Sequence, residues 1–221
     1  MDASEIRARL AAPLAYRDPV PGTVIVANPP SLGAPINSDD GIALADHPLV
    51  PAAVLVSFLQ GHGRRNSGRG VLLTKRTAHL NKHAGQVSFP GGRIDPGDAS
   101  PEAAALREAH EEIALDPSQV ELAGRLGDYV TGTGYRITPV LGLLPAGMEL
   151  GDLRLTPSPH EVESVFVLPM SVLLNPASPQ RRRAHYRGQW REFWVWPHPD
   201  HYVWGATAAI LVHLAERLRG T

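Results

Sequence analysis

Three glutamates stand within five residues in the string Arg107-Glu108-Ala109-His110-Glu111-Glu112, and they are the side chains here best suited to chemistry. On a helix they occupy positions i, i+3 and i+4, which are neighbours on one surface. At about 100° per residue, Leu106, Ala109 and Ile113 gather on one side and the glutamates on the other. The apolar side is expected to pack and the acidic side to face a cleft or solvent. Like charges this close repel one another, and only Arg107 is near enough to compensate. A hard divalent cation, Mg²⁺ or Mn²⁺, takes oxygen ligands and bridges carboxylates to phosphates, so it would neutralise the cluster. The alternative is a solvated acidic helix face.

The elements that must position these residues are legible around them. Ser100-Pro101-Glu102 reads as a helix start, because Ser caps free amides, Pro tolerates the first helical position and an early Glu complements the dipole. The helix should run to about Ile113, before Asp116-Pro117. Upstream, Phe89-Pro90-Gly91-Gly92 is a tight turn whose glycines allow close backbone approach. With Asp98 six residues after Gly92, turn and helix form a strand-loop-helix unit able to hold metal beside phosphate oxygens.

Apolar runs predict strands at Ala52 to Leu59 and Val71 to Lys75, paired as a hairpin around an exposed turn at Gly61 to Gly70. Further strands are expected at Ala123 to Val130, Thr138 to Leu144 and Ser164 to Leu168. Helices are expected at Ser4 to Leu10, Met170 to Leu174 and Ala206 to Arg219. No internal repeat is visible, and strands outnumber helices around one central helix, which points to a mixed α/β domain. Residues 1–50, with Pro19, Pro21, Pro29, Pro30 and Pro35, read as a Pro-rich extension packed on a main domain of residues 51–221.

With 21 basic and 22 acidic residues the formal charge is −1, so no global field draws the chain to nucleic acid or an anionic membrane. Cysteine is absent, which removes disulfides, thiolate nucleophiles and cysteine-based zinc sites. No apolar run reaches the roughly 20 residues of a membrane span and the start lacks a secretory pattern, so the chain reads as cytoplasmic.

Gly92 through Leu115 resembles the Nudix box, the signature of hydrolases that cleave a nucleoside diphosphate linked to another moiety. The Arg-Glu and Glu-Glu pairs are intact. Asp98 stands where the first glutamate is usual, one extra residue precedes Arg107, and Ala114 replaces the usual glycine. Leu72 to Thr77 and Lys82 to Gly92 look like the additional signature of the coenzyme A pyrophosphatase branch, which tolerates the same changes. Thr131 to Val140 and Val203 to Ala208 are similar to that branch as well, and the resemblance spans roughly residues 50 to 215.

The resemblance implies a Nudix-type α/β/α sandwich with a mixed central sheet. It implies Glu108 and Glu112 as principal ligands of Mg²⁺ or Mn²⁺, Glu111 as a further ligand or base, and Arg107 as the group that orients the carboxylates. Glu161 lies in a loop from which other Nudix enzymes recruit a base. Coenzyme A carries a pyrophosphate and a 3′-phosphate, so Lys75, Arg76, Lys82, His83 and Arg93, with Gly91 and Gly92, are candidate substrate contacts. Lys75 and Arg76 are adjacent in a strand, so only one can face the pocket, and Arg76 is favoured.

Arg181-Arg182-Arg183, followed by His185, Arg187 and Arg191, reads as a solvated loop, and Trp190, Trp194 and Trp196 as packing in or beside a strand. His110 reads as a partly buried helix residue. The expected activity is hydrolysis of coenzyme A, with no nucleic-acid or membrane partner and a homodimer admitted. Rival readings are a Nudix pyrophosphatase for ADP-ribose, NADH or nucleoside triphosphates, and a noncatalytic nucleotide-sensing module.

Overall fold

The structure, a computed structural model, describes residues 1–11, 36–37, 48–61, 68–79, 84–186 and 189–220. The elements in order are α1 (Ala3–Ala11), β1 (Ile36–Asn37), β2 (Val50–Gln60), β3 (Arg69–Arg76), β4 (Val87–Ser88), β5 (Gly91–Arg93) and α2 (Pro101–Ile113). There follow β6 (Glu121–Arg125), β7 (Tyr129–Val130), β8 (Tyr135–Leu143), β9 (Val162–Pro169) and α3 (Met170–Leu173). The chain then forms β10 (Gln180–Tyr186), β11 (Gln189–Trp196), β12 (Val203–Trp204) and α4 (Gly205–Arg219).

Strands β1 to β9 form one mixed sheet in the order β1-β7-β8-β2-β3-β4, with β5 also on β2, β6 on β8 and β9 on β3. The long central contact, β2 with β8 from Val50↔Tyr135 to Phe58↔Leu143, is parallel, and β2 and β3 pair antiparallel at Phe58↔Val71, as a hairpin requires. Successive residues point to opposite faces of a strand. Leu55 and Leu72 accordingly enter a core with Ala104, Ala105, Ala109 and Ile113 of α2. Val56, Val71 and Leu73 enter the opposite core, with Ile210, Leu211 and Leu214 of α4 and Ile6 and Leu10 of α1. The result is the expected sandwich of helices on both sides of a mixed sheet.

Two described elements before β2 meet this body. β1 pairs in parallel with β7. α1 lays Ile6 and Leu10 against α4, where the buried Arg217 donates to the Leu10 carbonyl, and Arg7 forms a fork to Glu121 through Nε and Nη2 at 2.8 and 2.6 Å.

Two expectations fail. Arg181, Arg182 and Arg183 lie in β10, not a loop, paired with Trp194, Phe193 and Glu192 of β11. The run of like charge misled the reading: Arg181 covers the Trp194 ring at 4.5 Å, and Glu192 offers a carboxylate to Arg183 at 3.3 Å. Strand register therefore supplies partners that a local polar run does not disclose. His110 is exposed, its Nδ1 lying 3.2 Å from the Leu115 carbonyl beyond the helix end. Trp196 is buried as expected for a strand residue and donates from Nε1 to the Ala208 carbonyl at 2.9 Å.

Candidate functional site

The glycine turn and the acidic helix meet because neither glycine position has room for a side chain. Gly91 has φ of +154°, and a Cβ there would stand 2.4 Å from the Ala53 carbonyl oxygen of β2. A Cβ on Gly92 would lie 2.5 Å from the Glu108 carboxyl carbon. β5 therefore lies flat against β2, pairing Gly91 with Val54 and Arg93 with Ala52, and α2 closes over it. At the other end of the turn, Thr207 at the start of α4 donates to the Val87 carbonyl at 2.9 Å, anchoring β4.

α2 begins as its sequence predicts: Ser100 accepts from the Ala103 amide, and Pro101 opens the first turn. It ends at Ile113, where Ala114 adopts a left-handed conformation with φ of 55°. That is the slot in which the box usually carries glycine.

The three glutamates do not share one environment, which corrects the picture of a uniformly solvent-facing acidic side. Glu111 is exposed, Glu108 half-buried, and Glu112 only 2% exposed. The reason is helical geometry: Glu112 sits two turns after Ala105, about 20° from it around the axis, and so borders the packed alanine stripe. Its Oε2 accepts from the Gly91 amide at 3.2 Å, and its Oε1 lies 3.4 Å from Arg76 Nη1. Burial pushes the Glu112 carboxyl up to about 7, against the opposing pull of the Gly91 amide and Arg76 and with further upward pressure from Glu161 and Glu108. Burial also raises Glu108, opposed by Arg107 and reinforced by Glu111 and Glu161. The exposed Glu161 thus stands close enough for its charge to be felt by both.

Arg107 spends all five N–H donors on this assembly. Nε and Nη2 grip Asp98 at 3.0 and 2.9 Å, Nη1 reaches Glu108 and Glu111 at 3.0 Å each, and Nη2 also donates to the Arg93 carbonyl at 3.1 Å. The Arg107 guanidinium, with the Asp95 backbone, holds Asp98 below the usual carboxylate range. Asp98 is therefore the anchor of Arg107, a role that sequence reasoning missed. The nine-residue spacing puts the two on different elements, so no helical periodicity links them.

Arg76 faces Glu112, whereas Lys75 turns away to Glu163 at 2.6 Å, and a register shift between the two interrupts the β3–β9 pairing. Arg93 projects away from the glutamates and meets the Tyr135 hydroxyl at 3.2 Å. Lys82 and His83 lie outside the described residues. The loop before β9 is bound to the end of α2, the Thr156 and Ser158 amides donating to the Ile113 and Glu112 carbonyls at 3.0 and 2.8 Å. Among the described residues no three carboxylate or imidazole side chains already converge as a metal-coordinating group, because Arg107 holds Glu108 and Glu111 while Glu112 bonds Gly91.

The NUDIX domain family model matches residues 49–189. A relative in Escherichia coli (strain K12), described as "Uncharacterized Nudix hydrolase NudL", is 43% identical over 167 residues, covering 76% of this chain and 82% of that protein. The protein of the same description in Shigella boydii serotype 4 has the same identity and coverage. A solved MutT/nudix family protein from Enterococcus faecalis is 14% identical with a TM-score of 0.49, over 80% of this chain and 64% of that one, a likeness too loose to bear on the site. With the family model spanning well over half of its length, including the glycine turn and the acidic helix, this chain belongs to the Nudix family of pyrophosphohydrolases.

Proposed function

We propose that this Nudix pyrophosphohydrolase acts on coenzyme A or its acyl or oxidised derivatives. Water adds across the pyrophosphate bond, releasing adenosine 3′,5′-bisphosphate and 4′-phosphopantetheine. Among the described residues the supporting observation is Arg76, which belongs to the block resembling the coenzyme A branch. It stands beside the buried Glu112, and its buried Nε has no hydrogen-bond partner among the described residues. A buried guanidinium N–H without an acceptor is costly, and a phosphate oxygen is the acceptor such a fork suits best.

Nudix hydrolases generally use divalent ions such as Mg²⁺ or Mn²⁺, and the donor set here fits a hard cation. It is all oxygen, and Glu108 raises the proton affinity of Glu112 as Glu111 raises that of Glu108, which a bound cation reverses. Glu108 and Glu112 would be the principal ligands, with Glu111 joining them. When bound, the ion withdraws charge from phosphate oxygens and acidifies the water it carries. The chain does the remaining work. Arg107, fixed on Asp98, aims the Glu108 and Glu111 carboxylates. Arg76 holds a phosphate oxygen, and Glu161 or Glu111 receives the proton of the attacking water. The buried side of Glu112 excludes solvent from that carboxylate.

Mass spectrometry of products after incubation with coenzyme A, ADP-ribose, NADH and deoxynucleoside triphosphates, in Mg²⁺ or Mn²⁺, tests this reading. Coenzyme A is expected to have the highest kcat/KM. A tenfold preference for any of the others overturns the assignment.

A further inference from the structure

An open cavity of about 450 Å³ lies between the residues that follow Arg76 and the loop that precedes β9. Its volume is within the ~300–1,000 Å³ usual for small-molecule sites. Thr77, Ala78 and His79 form one wall, and Pro157 and Pro159 the other. The two walls are stitched together beside Glu161: the Thr77 amide donates to the Glu161 carbonyl at 2.9 Å and its hydroxyl to the His160 carbonyl at 3.2 Å. The proline wall is in turn held on the Glu112 carbonyl by the Ser158 amide at 2.8 Å. The cavity therefore opens between segments that are next in the chain to Arg76 and to Glu161.

The lining selects among such groups. Ala78, Pro157, Pro159 and Val162 present carbon, and the charged side chain on the wall is the carboxylate of Glu163, held by Lys75 at 2.6 Å. Apolar walls and a carboxylate already paired with Lys75 offer little to a terminal phosphate and suit an uncharged chain, while the Thr77 hydroxyl and His79 offer polar contacts to amides. We propose that this cavity receives the uncharged, amide-bearing arm on the non-nucleoside side of the pyrophosphate. The proposal rests on the coenzyme A reading and adds which half of the substrate is held where.

The test compares kcat/KM for coenzyme A with that for 3′-phosphoadenosine 5′-diphosphate, which keeps the nucleoside and the anhydride but lacks the arm. Ala78→Phe fills the cavity from an exposed position. The ratio of coenzyme A to armless turnover is expected to fall at least tenfold, through KM. An equal fall for both substrates overturns the proposal, and a rise in the ratio assigns the cavity to the nucleoside half instead. If Ala78→Phe does not fold, His79→Trp, also exposed, decides by the same ratio. Wild-type protein that leaves coenzyme A intact refutes the substrate reading itself, an outcome distinct from an active wild type whose variants show no selective loss.

Discussion

Glu112→Gln separates what the carboxylate costs the fold from what it does for catalysis. The substitution keeps the shape and an oxygen able to accept from Gly91 at 3.2 Å, but removes the charge from a side chain 2% exposed. Burial pushes the Glu112 carboxyl up to about 7. From an ordinary glutamate value, at ~1.4 kcal/mol per tenfold change in proton affinity, this corresponds to about 3 kcal/mol. The native state then binds more protons than the unfolded chain between about pH 4.5 and 7. The contribution of Glu112 to wild-type stability is therefore greatest below that window and falls as pH rises through it. The pull of Arg76, 3.4 Å away, is already contained in that value.

In EDTA the variant should match wild type near pH 4.5 and melt about 6 to 12 °C higher at pH 8, since ~1 kcal/mol moves Tm by roughly 2–4 °C in a chain of this size. Mg²⁺ should stabilise wild type more than the variant and narrow the gap, while turnover of the variant falls at least about a hundredfold. Calorimetry at both pH values, with and without Mg²⁺, and product release at saturating metal measure the two halves. A gap independent of pH refutes the burial argument. Near wild-type turnover removes Glu112 from the metal site.

Chelation should abolish activity and added Mg²⁺ or Mn²⁺ restore it, as product release in EDTA and after reconstitution would show; full activity in EDTA refutes the mechanism. Arg76→Ala should lower kcat/KM for coenzyme A about ten- to hundredfold, the worth of a charge-assisted contact, while calorimetric Mn²⁺ binding stays intact. An effect within twofold excludes Arg76 from substrate contact. Ala114→Gly should raise Tm by about 1–3 °C, because φ of 55° strains alanine by more than the entropy that glycine adds. A lower Tm shows that the strain is relieved elsewhere.

What could be read in advance was whatever depends on short stretches of chain. The start of α2 follows from Ser100 and Pro101, and the strands β2 and β3 from uninterrupted apolar runs, because capping and apolar patterning are local. Strand alternation says that only one of Lys75 and Arg76 can face the pocket, without saying which, and the two side chains do turn to different partners. The depth of Glu112 was not legible. It depends on how closely the alanine stripe packs on the sheet, and a helical wheel records angle without depth. Nor was the grip of Arg107 on Asp98, or the pairing of the Arg181–Arg183 run with β11, since both are set by a partner on another element.

The same limit explains why the motif identifies a chemistry more readily than a substrate. The glycine turn and the acidic helix lie between Gly91 and Glu112 and travel together in sequence. The proposed arm cavity is walled by segments that the Thr77 hydroxyl joins to the His160 carbonyl, 83 positions away. Substitutions at such a seam can change which arm is accepted without touching the carboxylates. Selectivity within this fold is thus free to diverge while the box stays recognisable.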